Sequence, residues 1–261
     1  MKFAKKSLGQ NFLVDKNIIK KTISLTKIED CNIIEIGPGY GALTDEILKL
    51  NPKTFHIIEK DFELFSKLKL KFKNDKRVFV HNIDILEFNL KKILRKKSII
   101  FGNLPYNISS QILIQIIKIN NLHNMVDDIV FMFQKELAEK IVCKFPSKFY
   151  GRLSIISNYK LTVKSKFFVS PNCFFPKPKV NSMVIHFKPK KNNLYIKNLS
   201  NLEKVTNILF SNKRKMINKN IKKLFKKNEI KKINNINLNY RPSEIEPNIY
   251  YKMAKIYESR K

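Results

Sequence analysis

The chain has 261 residues, of which 43% are hydrophobic, and its 52 Lys and Arg against 21 Asp and Glu give a formal net charge of +31. This length and apolar content exclude wholesale disorder and allow a main domain with a small appendage. The excess of positive charge predicts a polyanionic partner, most simply nucleic acid. AT-rich coding would explain many of the lysines, but not the shortage of acids.

The cysteines and histidines give no sign of a disulfide framework or a metal site. Cys31, Cys143 and Cys173 are widely spaced, with no Cys-x-x-Cys pair, and the four histidines show no His-x-x-x-His spacing. No apolar run is long enough to span a membrane, and the basic start Met1 to Ser7 is not followed by a secretory core. We therefore expect a cytoplasmic protein with no metal and no membrane partner.

The first predicted elements are a helix capped by Asp15 and a buried strand, Asn32 to Ile36, which runs directly into Gly37-Pro38-Gly39-Tyr40-Gly41. A second helix begins at Ala42, so the glycines let the backbone pass close to a ligand. This loop is neither the dinucleotide fingerprint nor a P-loop. Because it contains a proline, we expect this loop to surround the sugar and amino-acid parts of a ligand rather than a phosphate.

Acidic residues follow the next two predicted strands. Glu59 ends the second strand and is placed to accept hydrogen bonds from ribose hydroxyls, whereas Asp61 is explained by capping of the next helix. Beyond the third strand, Val78 to His81, Asp84 can accept an adenine amino group while Ile85 covers the ring. The alternative for Asp84 is a solvated loop residue.

A fourth strand, Ser98 to Phe101, leads into the turn Asn103-Leu104-Pro105-Tyr106. The side-chain oxygen of Asn103 and the carbonyl of Leu104 can hold an exocyclic amino group, Pro105 restrains that carbonyl, and Tyr106 offers a face for a base. In isolation an ordinary turn explains these residues at least as well. However, the carboxyl ends of parallel strands are where open α/β sheets bind ligands, and four candidate features fall there.

The rest of the sequence predicts a fifth strand, Asp128 to Gln134, a helix from Lys135, and a last strand, Ser182 to Phe187. Between them, Ser170 to Val180 mixes prolines, lysines and aromatics, a composition that suits an unstacked base and its phosphates; a plain solvated loop is the alternative. Beyond Pro189 the spacing is helical throughout. We predict an α/β domain followed by a small all-helical one.

With these residues, the chain resembles the ribosomal small-subunit RNA adenine N6,N6-dimethyltransferases over nearly its whole length. The motifs that carry the resemblance are Gly9-Gln10-Asn11-Phe12-Leu13, Glu35-Ile36-Gly37-Pro38-Gly39-Tyr40-Gly41, Glu59, Asp84, Asn103-Leu104-Pro105-Tyr106-Asn107-Ile108-Ser109, Gln134-Lys135-Glu136, Tyr150-Gly151-Arg152-Leu153-Ser154 and Phe174-Phe175-Pro176-Lys177-Pro178-Lys179-Val180.

The resemblance implies a Rossmann-like class I methyltransferase domain over residues 1–189 and a helical domain over residues 190–261 that aids RNA or ribosome binding. It implies dimethylation of two adjacent adenosines in the 3′-terminal hairpin loop of small-subunit rRNA, within the pre-30S particle. We expect the protein to be monomeric. S-adenosyl-L-methionine would be bound by Asn11, Leu13, Gly37, Gly39, Glu59, Asp84, Ile85 and Asn103. The target amino group would be held by Asn103, Leu104, Pro105 and Tyr106, and Phe174 would help to sandwich the base.

Three alternatives are less favoured. The related large-subunit dimethylases that confer macrolide resistance fit the Asn107-Ile108-Ser109 and Phe174 to Val180 stretches less well, and a DNA adenine methyltransferase would more often carry Asp at position 103. A ribosome-assembly factor with methylation as a secondary role is the alternative from another class, and the two roles are compatible.

Overall fold

The structure, a computed structural model, describes residues 9–260, so the basic stretch Met1 to Ser7 lies outside it. The described chain forms two compact units, residues 9–138 with 162–190, and residues 139–161 with 191–260. The sequence-based division at residue 189 assigned residues 139–161 to the first domain, whereas the structure groups them with the second unit. No helix among residues 9–260 is long and apolar enough to cross a membrane.

Among residues 9–260, seven strands form one sheet in the order β4-β3-β2-β5-β6-β9-β7, and the two shortest strands pair separately as β1-β8. The strands are β1 (Phe12–Leu13), β2 (Asn32–Ile36), β3 (Thr54–Glu59), β4 (Val78–Asn82), β5 (Ser98–Asn103), β6 (Val126–Gln134), β7 (Leu161–Val169), β8 (Phe174–Phe175) and β9 (Ser182–Pro189). Neighbours from β4 to β6 are parallel, and β9 runs antiparallel to β6. The predicted α/β class is confirmed.

The strand order changes direction at β2, and this determines where a ligand can bind. From β2 the chain adds β3 and β4 on one side and then returns to place β5 on the other side. Every residue of β2 is buried, as expected for a β-branched strand covered on both faces. The loops after β2 and β5 therefore diverge and leave a crevice at the carboxyl edge, which is the usual ligand site of such sheets.

Six helices accompany these strands, namely α1 (Lys16–Ile23), α2 (Ala42–Leu48), α3 (Phe62–Lys71), α4 (Ser109–Ile117), α5 (Leu122–Met125) and α6 (Lys135–Val142), the last of which continues into the second unit. Both predicted caps are confirmed. The Asp15 carboxylate accepts hydrogen bonds from the backbone N–H groups of Asn17 and Ile18, and Asp61 accepts one from Glu63. These caps fix where α1 and α3 begin.

The second unit is helical, with α7 (Arg152–Lys160), α8 (Ser200–Leu209), α9 (Asn218–Ile221), α10 (Lys227–Ile230) and α11 (Pro247–Glu258). Pro247 occupies the first turn of α11, as predicted. Tyr250 and Tyr251 of α11 are buried, and their hydroxyls donate to the carbonyls of Pro242 at 2.7 Å and Ile155 at 3.0 Å. Buried tyrosines with satisfied hydroxyls thus anchor the last helix.

Candidate active site

A cavity of about 200 Å³ lies at the carboxyl edge of the sheet, within the first unit. Its wall includes all but one of the residues that the sequence predicted for the site. These are Asn11, Leu13, Gly37, Gly39, Glu59, Asp84, Ile85, Asn103, Leu104, Pro105 and Tyr106. The features expected at four strand ends therefore share one cavity.

The glycine loop after β2 packs closely against the ring of Phe12. Gly37 and Gly39 have φ of +67° and +61°, a conformation that favours glycine. A Cβ atom on Gly39 would lie 2.5 Å from the ring of Phe12, which itself packs edge-on against Tyr40 with 4.7 Å between ring centroids. The absence of a side chain at Gly39 is thus what lets Phe12 pack there.

Glu59 is the buried acceptor at the end of β3. The backbone N–H of Asp61 donates to its Oε1 at 2.8 Å. Burial raises the pKa of Glu59 to about 7, although hydrogen bonds from the backbone of Asp61 and Gly39 oppose the shift. The carboxyl group is therefore close to half ionised at neutral pH.

Asp84 follows β4 and forms an ion pair that the sequence analysis did not foresee. The Lys60 ammonium lies 2.7 Å from its Oδ2, and the Leu86 N–H donates to Oδ1 at 2.9 Å. Partial burial would raise the pKa of Asp84, but the Lys60 and Leu86 contacts outweigh it and lower the pKa overall. Asp84 is consequently an ionised acceptor, and Ile85 beside it is 6% exposed.

Glu35 of β2 is a second buried carboxyl group in the wall. The Thr44 hydroxyl donates to its Oε2 at 2.5 Å. Burial raises the pKa of Glu35 to about 8 in spite of that hydrogen bond. Glu35 belongs to the glycine motif, but the sequence pattern predicted no role for it.

The Asn103 side chain has a defined orientation. Its Nδ2 donates to the backbone carbonyl of Asn11 at 2.8 Å. Since a carbonyl oxygen only accepts hydrogen bonds, the nitrogen of the amide must face Asn11. The oxygen Oδ1 is therefore on the other side of the amide, where it can serve as an acceptor.

Leu104, Pro105 and Tyr106 complete this part of the wall. Leu104 is 1% exposed, and Ile108 donates its N–H to the Pro105 carbonyl at 3.2 Å, which tightens the turn. The Tyr106 hydroxyl lies 2.6 Å from Ser182 Oγ at the start of β9. Burial raises the pKa of Tyr106, with the Ser182 hydrogen bond acting in the opposite direction, so the phenol is neutral at physiological pH.

Residues 9–13, called here the N-terminal segment, line the cavity and connect several of its parts. Gln10 Nε2 donates to Asp61 Oδ2 at 3.1 Å, and Asn11 receives the hydrogen bond from Asn103. Phe12 and Leu13 form β1, which pairs antiparallel with β8. The segment thereby ties the ends of β3 and β5 to the chain just before β9.

Phe174 is the predicted site residue that the structure does not place in the cavity wall. It pairs with Leu13 in the β1-β8 ladder, is 4% exposed, and belongs to the hydrophobic core. The next residue, Phe175, is 50% exposed. The sandwiching role expected of Phe174 stays a prediction.

These donors and acceptors suit an adenosine-containing cofactor. Glu59 is at the strand end where ribose hydroxyls are recognised, Asp84 and Ile85 can hold adenine, and the glycine loop allows close backbone approach. Among residues 9–260, no group of three or more His, Cys, Asp and Glu side chains could hold a metal ion.

Solved structures share this fold. A dimethyladenosine transferase from Plasmodium falciparum matches with a TM-score of 0.74 and 24% identity, covering 93% of this chain and 95% of that one. The 23S rRNA methyltransferase ErmE matches with a TM-score of 0.67 and 18% identity, covering 94% and 98%. The sheet order and the cavity at its carboxyl edge therefore belong to the fold that these two methyltransferases share.

Residues 1–259 match the family described as ribosomal RNA adenine dimethylase. The chain is 44% identical over 256 residues to ribosomal RNA small subunit methyltransferase A of Pelagibacter ubique (strain HTCC1062), covering 98% of this chain and 97% of that protein. It is 38% identical over 260 residues to the protein of the same name from Malacoplasma penetrans (strain HF-2), covering 97% and 91%. The chain therefore belongs to this family of S-adenosylmethionine-dependent rRNA adenine dimethyltransferases, as its resemblance implied.

Proposed function

We propose that this enzyme dimethylates N6 of two adjacent adenosines in the 3′-terminal hairpin loop of small-subunit rRNA, and that it acts on the pre-30S particle during small-subunit biogenesis in the cytoplasm. The relatives in Pelagibacter and Malacoplasma are named as small-subunit methyltransferases, which supports this choice of subunit. The observation that carries the chemistry is the orientation of Asn103, whose amide oxygen is available to an amino group.

The protein's task is to make the adenine nitrogen nucleophilic. The lone pair of adenine N6 is delocalised into the ring. Hydrogen-bond acceptors must therefore hold the two amino hydrogens, so that the nitrogen becomes tetrahedral. The Asn103 Oδ1 and the Leu104 carbonyl are the acceptors we assign to this role, with Pro105 restraining the latter. Bound S-adenosylmethionine supplies a methyl group on a positively charged sulfur.

The target base must leave its loop before it reaches this turn. Tyr106 provides the aromatic face, and a base–aromatic stack contributes on the order of 1–3 kcal/mol, enough to offset much of the unstacking cost. Lys177 and Lys179 are exposed in the loop between β8 and β9, where they are available to RNA phosphates. We propose that Asn11, Leu13, Gly37, Gly39, Glu59, Asp84, Ile85 and Asn103 hold the cofactor.

We also propose that the enzyme works as a monomer with a methyltransferase domain over residues 1–189 and a helical domain over residues 190–261 that aids placement on the particle. Support comes from the helical character of α8 to α11 and from the 16 lysines of residues 190–261, most of which lie between the helices.

Methyl transfer from labelled cofactor to immature small subunits tests the proposal, with free rRNA and large subunits as controls. We expect label on small subunits, mapped by primer extension to two neighbouring adenosines. Asn103→Ala should abolish transfer while RNA binding persists, and Asn89→Ala, at an exposed asparagine that caps a 3₁₀ turn, should transfer normally. Label on large-subunit RNA, or full activity of Asn103→Ala, would contradict the proposal.

A further inference from the structure

The hydrogen bond between Tyr106 and Ser182 joins two parts of the first unit that are far apart in sequence. The two hydroxyl oxygens are 2.6 Å apart, and Ser182 is fully buried. Tyr106 follows β5, whereas Ser182 opens β9, which lies beyond β6 in the sheet. The bond therefore spans the end of β6 and links the turn that holds Asn103 to the antiparallel strand.

Ser182 is a rigid attachment point. It pairs with Gln134, the last residue of β6, and its predecessor Asn181 accepts a hydrogen bond at 2.9 Å from the backbone N–H of Lys135. These contacts fix the backbone of Ser182, and the full burial of the residue leaves its Oγ little room to move.

Tyr106, in contrast, sits on a turn outside regular structure. A tyrosine side chain has two rotatable bonds, and only contacts with its surroundings select one ring orientation. The hydroxyl oxygen lies on the Cβ–Cγ axis at the far end of the ring, so a hydrogen bond there restrains rotation about Cα–Cβ and fixes the position of the ring. Because a phenolic O–H prefers the plane of its ring, the same bond favours one ring plane, and the ring then sets where a stacked base lies.

We propose that Ser182 is a positioning residue, which fixes the Tyr106 ring so that a stacked adenine presents its amino group to Asn103. This inference rests on the proposed function, because it requires that Tyr106 stack the target base. Ser182 lies outside the cavity wall and acts through Tyr106.

The test compares Ser182→Ala, Tyr106→Phe and the double variant in methyl transfer to small subunits. Each single change removes the same hydrogen bond, so each should lower kcat/KM for RNA by about five- to tenfold. The double variant should be no slower than Tyr106→Phe, since the bond is already lost there. Cofactor affinity, measured by calorimetry, should stay within about twofold of the wild type in all three.

Two further variants separate positioning from stability. Ser182→Thr keeps a hydroxyl on a strand residue and should recover most of the activity lost in Ser182→Ala. Ser98→Ala removes another fully buried serine that opens a strand, one whose hydroxyl bonds with the backbone of Arg95. It should lower the melting temperature and leave kcat/KM for RNA unchanged when assayed below that temperature.

The proposal is overturned if Ser182→Ala melts earlier yet turns over RNA normally, or if the losses in the double variant multiply. A wild-type enzyme that transfers no methyl groups to small subunits would instead contradict the proposed function.

Discussion

Glu59 and Glu35 place two weakly acidic carboxyl groups in one cavity, with pKa values of about 7 and about 8. A folded-state pKa above the unfolded value stabilises the protein at pH values below the unfolded pKa, and that stabilisation disappears as pH rises through the folded pKa. Relative to the unfolded chain, the unliganded protein thus favours the protonated form of Glu59. Ribose hydroxyls favour the ionised form, which accepts hydrogen bonds from both of them. Under the role proposed for Glu59, cofactor binding and proton release are therefore linked at this residue.

Cofactor affinity should consequently rise with pH. Between pH 6 and pH 8 we expect an increase of up to about tenfold in the affinity for S-adenosylhomocysteine, measured by calorimetry, because Glu59 passes from mostly protonated to mostly ionised. Glu59→Gln should bind more weakly, with a flatter pH profile. Glu35 titrates in the same cavity. If Glu59→Gln kept the wild-type dependence of affinity on pH, the titrating group would be Glu35, and the assignment to Glu59 would be wrong.

Individual site residues differed in how far the sequence could predict them. Glu59 and Asn103 end β3 and β5, and Asp84 comes two residues after β4, so the chain order alone placed them at one edge. Ser182 and Tyr106 meet only through the sheet topology, and no local pattern links them. The Lys60–Asp84 pair joins the ends of neighbouring strands β3 and β4 in the same way.

At the scale of elements, three sets of contacts hold the N-terminal segment in place. Gln10 donates a hydrogen bond to Asp61, the Asn11 carbonyl accepts one from Asn103, and β1 pairs with β8. Gly39 provides the space into which Phe12 packs. Anything that displaces Phe12 should therefore disturb the cavity wall at several points.

Gly39→Ala tests this dependence. The added Cβ would lie 2.5 Å from the Phe12 ring, at a φ of +61° that strains any residue other than glycine. We expect at least about a tenfold loss of cofactor affinity by calorimetry, as the loop and the segment move apart. Gly151→Ala is the matched control, because Gly151 has an extended backbone and the nearest atom to its Cβ would be 3.9 Å away. Equal affinities for the two variants would show that the contact is unimportant.

The elements missed by the sequence analysis were missed for two reasons. Strand β7 has a period of two in its sequence, but no strand was predicted there. The residues of its more buried face are Leu161, Val163, Ser165, Phe167 and Val169. Strands β1 and β8 have two residues each, too few for any periodic signal. Neighbouring strand residues point to opposite faces, so the motif could not distinguish buried Phe174 from exposed Phe175.

At the scale of the molecule, charge is the dominant property. If each of the 21 acids neutralised one cation, 31 of the 52 Lys and Arg would still have no acidic partner of their own. RNA binding should therefore be governed by release of counterions from phosphates.

We predict that affinity for small-subunit RNA falls by about two orders of magnitude between about 50 and about 200 mM salt, as expected for about five neutralised phosphates. Lys177→Gln with Lys179→Gln should reduce the slope of log affinity against log salt by about two. Lys49 is already paired with Glu46, so Lys49→Gln should leave the slope of log affinity against log salt unchanged. A slope near zero in filter-binding measurements would rule out phosphate contacts as the source of affinity.

The pairing of β1 with β8 also has a consequence for biosynthesis. Translation delivers Phe12 and Leu13 first, and their partners Phe174 and Phe175 emerge only after β2 to β7 have been made. Ser182 and Val184, which complete the surroundings of Tyr106 and the cavity, come later still. A nascent chain that has just completed β6 therefore has every acidic and amide side chain proposed for cofactor binding, but it lacks β8, which pairs with β1, and β9, which carries the hydrogen-bond partner of Tyr106. Maturation of the catalytic cavity is a late event in synthesis of this enzyme.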